Sequence, residues 1–178
     1  MTKKLDALRK KYGKAGAADV FDPEFKKVAD VLFSGDRRAK PYEGVSTFLD
    51  APLAADALKT NFAGIDLALI GVPMDLGVTN RSGSRLGPRA VRAIERIGPY
   101  HEIHRVVPRS RVKIADAGDV PLRGRYNLEE SHQDIEAFYA KVAAAGVAPV
   151  SVGGDHSITL PILNALGAKR PVGMIHID

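Results

Sequence analysis

Residues 151–160, which read SVGGDHSITL, place an aspartate, a histidine and a serine after an apolar run and two glycines. The glycines allow a sharp turn from a strand into a helix, and Asp155 or Ser157 can cap that helix. His156 is then left at the turn, and a further carboxylate, Asp178, ends the run VGMIHID. An imidazole and a carboxylate suit Mn²⁺, Ni²⁺ or Zn²⁺, but a capped helix start and a surface histidine explain these residues equally well.

Apolar runs alternate with helical segments along most of the chain. The runs cover residues 66–72, 112–118, 147–153 and 172–178, and the helices are predicted over 87–97, 127–146 and 157–167. This alternation predicts an α/β fold with a mainly parallel sheet, whose strands are covered on both faces. Ligands of such sheets bind beyond the carboxyl ends of the strands. The polar residues expected at those ends are Asp75, Asp116, Asp119, Asp155, His156 and Asp178.

The composition narrows the class of protein. With 178 residues, 45% of them hydrophobic, the chain is long enough for one domain with a substantial core. It has no cysteine, so any metal must be held by His, Asp or Glu. No apolar run reaches the length of a membrane span, and no signal peptide is recognisable at the start. We therefore predict a cytoplasmic protein that does not bind a membrane.

The net charge of +5 comes from the start of the chain. Residues 1–40 hold 11 Lys and Arg against 6 Asp and Glu, whereas the two signs balance in residues 41–178. The basic runs match no nucleic-acid-binding motif, so we predict a solvated helix or an arm on a neighbouring subunit, and no nucleic acid. We predict an N-terminal extension over residues 1–60, with a helix starting at Asp22, and the folded domain over 61–178.

The loop over residues 80–88, NRSGSRLGP, follows the first predicted strand and is placed on the ligand side of the sheet. Its arginines could bind the carboxylate of a substrate or tie the loop to the rest of the domain. We favour the structural role for Arg85, and both roles stay open for Arg81. The carboxylates of residues 116–120 are expected to pair with backbone amides.

The other histidines and Asp155 have simple structural interpretations. Asp155 is expected to cap the following helix, although it could also orient a metal ligand. His176 lies two residues before Asp178, on the same face of the predicted strand. It could orient a ligand as well, but an interior, hydrogen-bonded histidine is favoured. Surface positions are expected for His101, His104 and His132.

Four segments together resemble the ureohydrolases, the family of arginase, agmatinase and the guanidino-acid hydrolases. They are GVPMDLGVTNRSGSRLGPRAVR (71–92), DAGDV (116–120), SVGGDHSITLP (151–161) and GMIHID (173–178). The resemblance runs from about Asp66 to the end of the sequence. It implies a three-layer α/β/α fold with two divalent metal ions, Mn²⁺ first and Ni²⁺ second. The implied reaction is hydrolysis of a guanidino group with release of urea.

The resemblance also implies roles for two residues. His156 matches the family's first histidine ligand, and Asp178 matches the first aspartate of its Asp-x-His-x-Asp motif, which bridges both metals. The other ligands and the catalytic residues would follow Asp178. We therefore expect a truncated chain, the N-terminal part of a larger ureohydrolase.

The complete enzyme is expected to be a homo-oligomer, a trimer or hexamer, acting on agmatine, a guanidino acid or guanidine. The alternative from another class is a non-catalytic subunit of the same fold that supports an active partner. A nucleotide-binding domain is disfavoured, since no phosphate-binding glycine motif follows the first strand.

Overall fold

A computed structural model gives the structure of this chain and describes residues 2–12, 44–94, 101, 103–106, 108 and 111–178. The chain divides into two compact units. One unit contains helix α1 (Thr2–Tyr12) and the residues around the isolated antiparallel bridge between His101 and Val106. The other unit carries the sheet and the candidate site. The helix predicted from Asp22 lies outside the described residues.

The second unit is built on three parallel strands. They are β1 (Leu67–Val72), β2 (Ile114–Asp119) and β3 (Ala148–Gly153). β1 lies in the centre of the order β2–β1–β3, with Leu67 opposite Ile114 on one side and Ala148 on the other. The α/β fold with a parallel sheet that the apolar runs predict is therefore confirmed, with strand bounds shifted by one or two residues.

Three helices follow the strands. They are α2 (Gly87–Ala93), α3 (Leu128–Ala145) and α4 (Thr159–Gly167). Helix α3 is capped by Asn127, the residue before it, whose side chain accepts hydrogen bonds from the amides of Glu129 and Glu130, and it is followed by Gly146 in the left-handed region. Helix α2 ends at Ala93, earlier than the predicted residue 97, and residues 95–97 lie outside the described part of the chain.

Both faces of the central strand β1 are covered, whereas β3, which was also expected to be covered, is largely exposed. Alternate residues of β1 face opposite sides, and the residues that face α3 join the main buried cluster. That cluster includes Ala68, Ile70 and Val72 of β1 and Ile135, Phe138, Tyr139 and Val142 of α3. On the other face Leu69 packs with Phe48 and Ala51, and α2 contacts β1 and β3 there. Helices and turns on two sides of a sheet give the three layers expected.

Residues before the first strand already contribute to this unit. Phe48, Ala51 and Ala57 are buried against it, and the backbone of Leu53 bridges to Asp116. The boundary predicted at residue 60 stays a prediction, but the core of the sheet unit includes side chains from before that residue.

The fourth strand, predicted over residues 172–178, is absent. Residues 171–178 form neither helix nor strand, and Ile175 and Ile177 are 95% and 92% exposed. A strand is stabilised by hydrogen bonds and side-chain pairs with a neighbour. This segment pairs with none of the three described strands, so its apolar sequence alone does not make it a strand.

Candidate functional site

The chain turns sharply at the carboxyl end of β3. Gly154 has a φ of +74°, and a Cβ atom there would lie 2.5 Å from the carbonyl oxygens of Val72 and Met74. Only glycine fits such a close approach at a positive φ. The corner of residues 153–157 therefore packs directly on the end of β1, and a 3₁₀ turn over His156–Ile158 leads into α4.

Asp155 faces into the protein and holds this corner. It is buried, and its Oδ1 accepts hydrogen bonds from the amide and the hydroxyl of Ser157 at 2.8 and 2.5 Å. Its Oδ2 accepts a hydrogen bond from the amide of Gly77, in the loop after β1, at 2.7 Å. The capping role expected for Asp155 is confirmed, and the same carboxylate links the loops that follow β1 and β3.

His156 faces outward at this edge. Its side chain is exposed, with Nδ1 3.4 Å from the hydroxyl of Thr159. Its ring meets the ring of His176, with centroids 4.6 Å apart at an angle of 89°. The expectation that His176 is an interior histidine is wrong, because residues 171–178 pair with no strand and stay exposed. Asp178 is exposed and forms no hydrogen bond or ion pair with the described residues.

These residues fit a divalent cation in the kind of donor atom they offer. Imidazole nitrogen and carboxylate oxygen are ordinary ligands of Mn²⁺, Ni²⁺ and Zn²⁺, and His156 offers an exposed ring beyond the carboxyl end of a strand. Within the described part of the chain, no three His, Cys, Asp or Glu side chains are grouped closely enough to hold a metal. The described residues therefore offer single metal-binding side chains but no complete metal site.

The loop after β1 is held by an ion pair. Asp75 is 3% exposed and accepts hydrogen bonds from the amide of Gly83 at 2.6 Å and from Nε of Arg85 at 2.5 Å. The hydrogen bond from Arg85 lowers the pKa of Asp75 below its usual value, against the effect of burial. Arg85 therefore ties the loop to the domain, as expected, whereas Arg81 is exposed.

A second ion pair joins Asp116 of β2 to Arg92 of α2. Asp116 is fully buried inside β2, not at its end as expected, since the strand continues to Asp119. It accepts two hydrogen bonds from Arg92 at 2.8 and 2.9 Å, and two from the amides of Phe48 and Gly118, both at 2.9 Å. Pairing with backbone amides was expected. Arg92 was missed, although it lies one turn after the buried Pro88 and so faces the sheet.

The surface position expected for His132 is wrong. It is half-buried on α3 rather than on the surface, and its Nε2 lies 3.1 Å from the hydroxyl of Ser157. The signal was present in the sequence: His132, Ile135 and Tyr139 stand at helical spacing on the apolar face of α3. The histidines expected on the surface at 101 and 104 are exposed.

The chain is similar to known proteins over most of this unit. The sequence pattern described as the Arginase family matches residues 65–178. The guanidinopropionase of Pseudomonas aeruginosa is 44% identical over 138 residues, which are 77% of this chain and 42% of that protein. The human mitochondrial guanidino acid hydrolase is 40% identical over 76% of this chain and 37% of its own length.

A solved structure supports the same likeness. The crystal structure of a hypothetical agmatinase from Burkholderia thailandensis matches with a TM-score of 0.65 and 31% identity, over 76% of this chain and 42% of that one. The chain thus spans less than half the length of the relatives it matches. None of the described helices is long and apolar enough to cross a membrane.

Proposed function

The chain belongs to the arginase family, and from this premise we propose that it forms the amino-terminal, metal-binding part of an enzyme that hydrolyses the guanidino group of a small substrate and releases urea. The observation that carries the proposal is the placement of His156. Its side chain is exposed beyond the carboxyl end of β3, while Asp155 and Ser157 on either side of it are tied inward. Ligands of parallel sheets bind at this edge.

The proposed cofactor is a pair of divalent cations, Mn²⁺ first and Ni²⁺ second. His156 would bind one of them and Asp178 would bridge both, with the remaining ligands and the catalytic residues in the complete enzyme. When bound, such a pair of cations acts as a Lewis acid and lowers the pKa of water toward neutrality. The described residues hold the histidine in place and leave its ring open to a ligand.

The charge at this edge favours a substrate that carries a carboxylate. Arg85 is paired with Asp75 and Arg92 with Asp116, whereas Arg81 and Arg125 are exposed and form no ion pair with the described carboxylates. Exposed guanidinium groups attract a carboxylate and repel the ammonium group of agmatine. We propose a guanidino acid as the substrate, ahead of agmatine and guanidine.

The test is metal content and urea release by the complete enzyme. His156→Ala should lower the bound metal, measured by elemental analysis, and reduce urea release severely, while far-UV circular dichroism stays unchanged. His104→Ala, which removes another exposed histidine, is the control. With 3-guanidinopropionate, 4-guanidinobutyrate, agmatine and guanidine compared, the guanidino acids should give the highest kcat/KM.

Two results would contradict the proposal. Unchanged metal content in His156→Ala would remove that residue from the ligands. A complete protein that binds metal but releases urea from none of the four compounds would instead fit a non-catalytic subunit.

A further inference from the structure

A line of side-chain hydrogen bonds connects helix α3 to the corner that carries His156. The hydroxyl of Ser157 lies 3.1 Å from Nε2 of His132 and 2.5 Å from Oδ1 of Asp155. The other oxygen of Asp155 accepts the amide hydrogen of Gly77 at 2.7 Å. Three separate segments, the loop after β1, the corner after β3 and the second turn of α3, are thereby joined through the side chains of Asp155, Ser157 and His132.

The direction of these bonds follows from counting hydrogens. A carboxylate only accepts hydrogen bonds, so the single hydroxyl hydrogen of Ser157 goes to Asp155. The serine oxygen can then only accept from the imidazole, which means that His132 carries a hydrogen on Nε2 and donates it. His132 therefore supplies the donor that fixes the orientation of the Ser157 hydroxyl.

The segments are also in close contact. A Cβ atom at Gly77 would lie 2.7 Å from Oγ of Ser157, so the loop after β1 leaves no room around that hydroxyl. The amide of Asp155 donates to the carbonyl of Met74 at 2.8 Å. His156 stands between two residues whose side chains are hydrogen-bonded inward, whereas its own exposed side chain contacts the side chains of Thr159 and His176.

We propose that His132 is a positioning residue for His156. By donating to Ser157, it holds the corner in the one arrangement that presents the His156 ring at the sheet edge. The proposal rests on the proposed function, in which His156 binds a metal ion. A ligand that is held in its binding geometry before the metal arrives binds it more tightly, because less conformational freedom is lost on binding.

Substitutions can separate the effect of the hydrogen bond between His132 and Ser157 from the effect of the volume that the His132 side chain fills. In His132→Gln, the side-chain amide nitrogen stands the same number of bonds from the backbone as imidazole Nε2, so a donor is retained. In His132→Leu, a side chain of similar size has no donor. Ser157→Ala removes the hydroxyl, which accepts from His132 and donates to Asp155, and keeps the backbone amide that donates to Asp155. Gln133→Leu, at the exposed neighbouring position of α3, is the control.

The measurement is Mn²⁺ binding to the metal-free complete enzyme by calorimetric titration. His132→Leu should weaken binding by about 10-fold, as losses of partners of metal ligands commonly do, and His132→Gln should stay within about 3-fold of wild type. Ser157→Ala should resemble His132→Leu, and the double variant should bind no more weakly than either. The amide of Gly77 should exchange hydrogen faster in His132→Leu than in His132→Gln.

The outcomes discriminate clearly. Wild-type affinity in His132→Leu, or a glutamine variant as weak as the leucine variant, would overturn the positioning role. If His132→Leu fails to fold, Ser157→Ala and His132→Gln decide the matter in the same way. His156→Ala, titrated alongside, separates the two proposals. If His156→Ala keeps its Mn²⁺ affinity, the proposed function is refuted. If His156→Ala loses affinity and His132→Leu does not, only the positioning role is refuted.

Discussion

The carboxylates near the strand ends are held by partners within the protein. Asp75 is paired with Arg85, Asp116 with Arg92, and Asp155 with the amide and hydroxyl of Ser157. Residue type and position at a strand end indicate a ligand edge, but they do not separate a ligand from a structural ion pair. Here burial distinguishes the two cases, because the three ion-paired or capping aspartates are buried, whereas the proposed ligand His156 is exposed.

Asp116 is the residue whose charge we expect to matter most for stability. Asp116→Asn leaves Arg92, whose side chain is only 13% exposed, without its buried partner, and should lower the free energy of unfolding by about 3 kcal/mol. Asp119→Asn removes a contact of the same arginine from a side chain that is 42% exposed, and should cost at most about 1 kcal/mol. The midpoint of urea denaturation of the protein measures both. Equal losses in the two variants would contradict this ranking.

The same aspartate should make stability depend on pH. Burial raises the pKa of Asp116, but the hydrogen bonds from Arg92, Phe48 and Gly118 outweigh burial and hold it below the usual value of 3.8. A group whose pKa is lowered on folding stabilises the fold above its unfolded pKa and loses that contribution as the pH falls through its folded pKa. Between about pH 5 and about pH 3, the stability of Asp116→Asn should therefore decline less than that of the wild type.

Helix α3, which contacts the corner through His132, is stabilised by the residue that precedes it, Asn127. Asn127 accepts hydrogen bonds from two amides that would otherwise lack a partner. Asn127→Ala should lower the free energy of unfolding by about 1 kcal/mol, whereas Asn127→Ser should stay within about 0.5 kcal/mol of wild type, because serine caps equally well. Denaturation midpoints of the protein and its two variants test this. A serine variant as unstable as the alanine variant would show that capping is not the cause.

The sequence predicted helices and strands well where residues close together in the chain determine them. The three strands and the ends of α3 follow from apolar runs, from Asn127 and from Gly146. The fourth strand, predicted over residues 172–178, was wrong, since a strand depends on a partner that can lie far away in sequence. For the same reason the contact of His132 with Ser157, 25 residues apart, needed the three-dimensional structure.

Apolar surface at the end of the described chain should govern how it behaves in solution. Ile175 and Ile177 are almost fully exposed, and Val150 on β3 is 45% exposed. We expect the 178-residue chain, expressed alone, to self-associate, because exposed apolar patches and unpaired strands promote aggregation. Light scattering after size exclusion measures this.

Two variants compared with each other test whether the exposed isoleucines cause this self-association. Replacing Ile175 and Ile177 by lysine should shift the chain toward monomer, whereas Leu8→Lys, at an exposed leucine of α1, should not. A monodisperse wild-type chain, or equal improvement by both changes, would contradict this explanation.

The central position of β1 has a consequence for synthesis. β1 is the first of the described strands and pairs with β2 on one side and β3 on the other. A growing chain therefore offers two free edges as soon as β1 leaves the ribosome, and neither β2 nor β3 has to be inserted between two strands that are already paired. Joining β3 costs less than about 1 kcal/mol more loop-closure entropy than joining β2, because that entropy grows only with the logarithm of length. The nascent chain can thus pair β1 with β2 before β3, the strand that leads into His156, has left the ribosome.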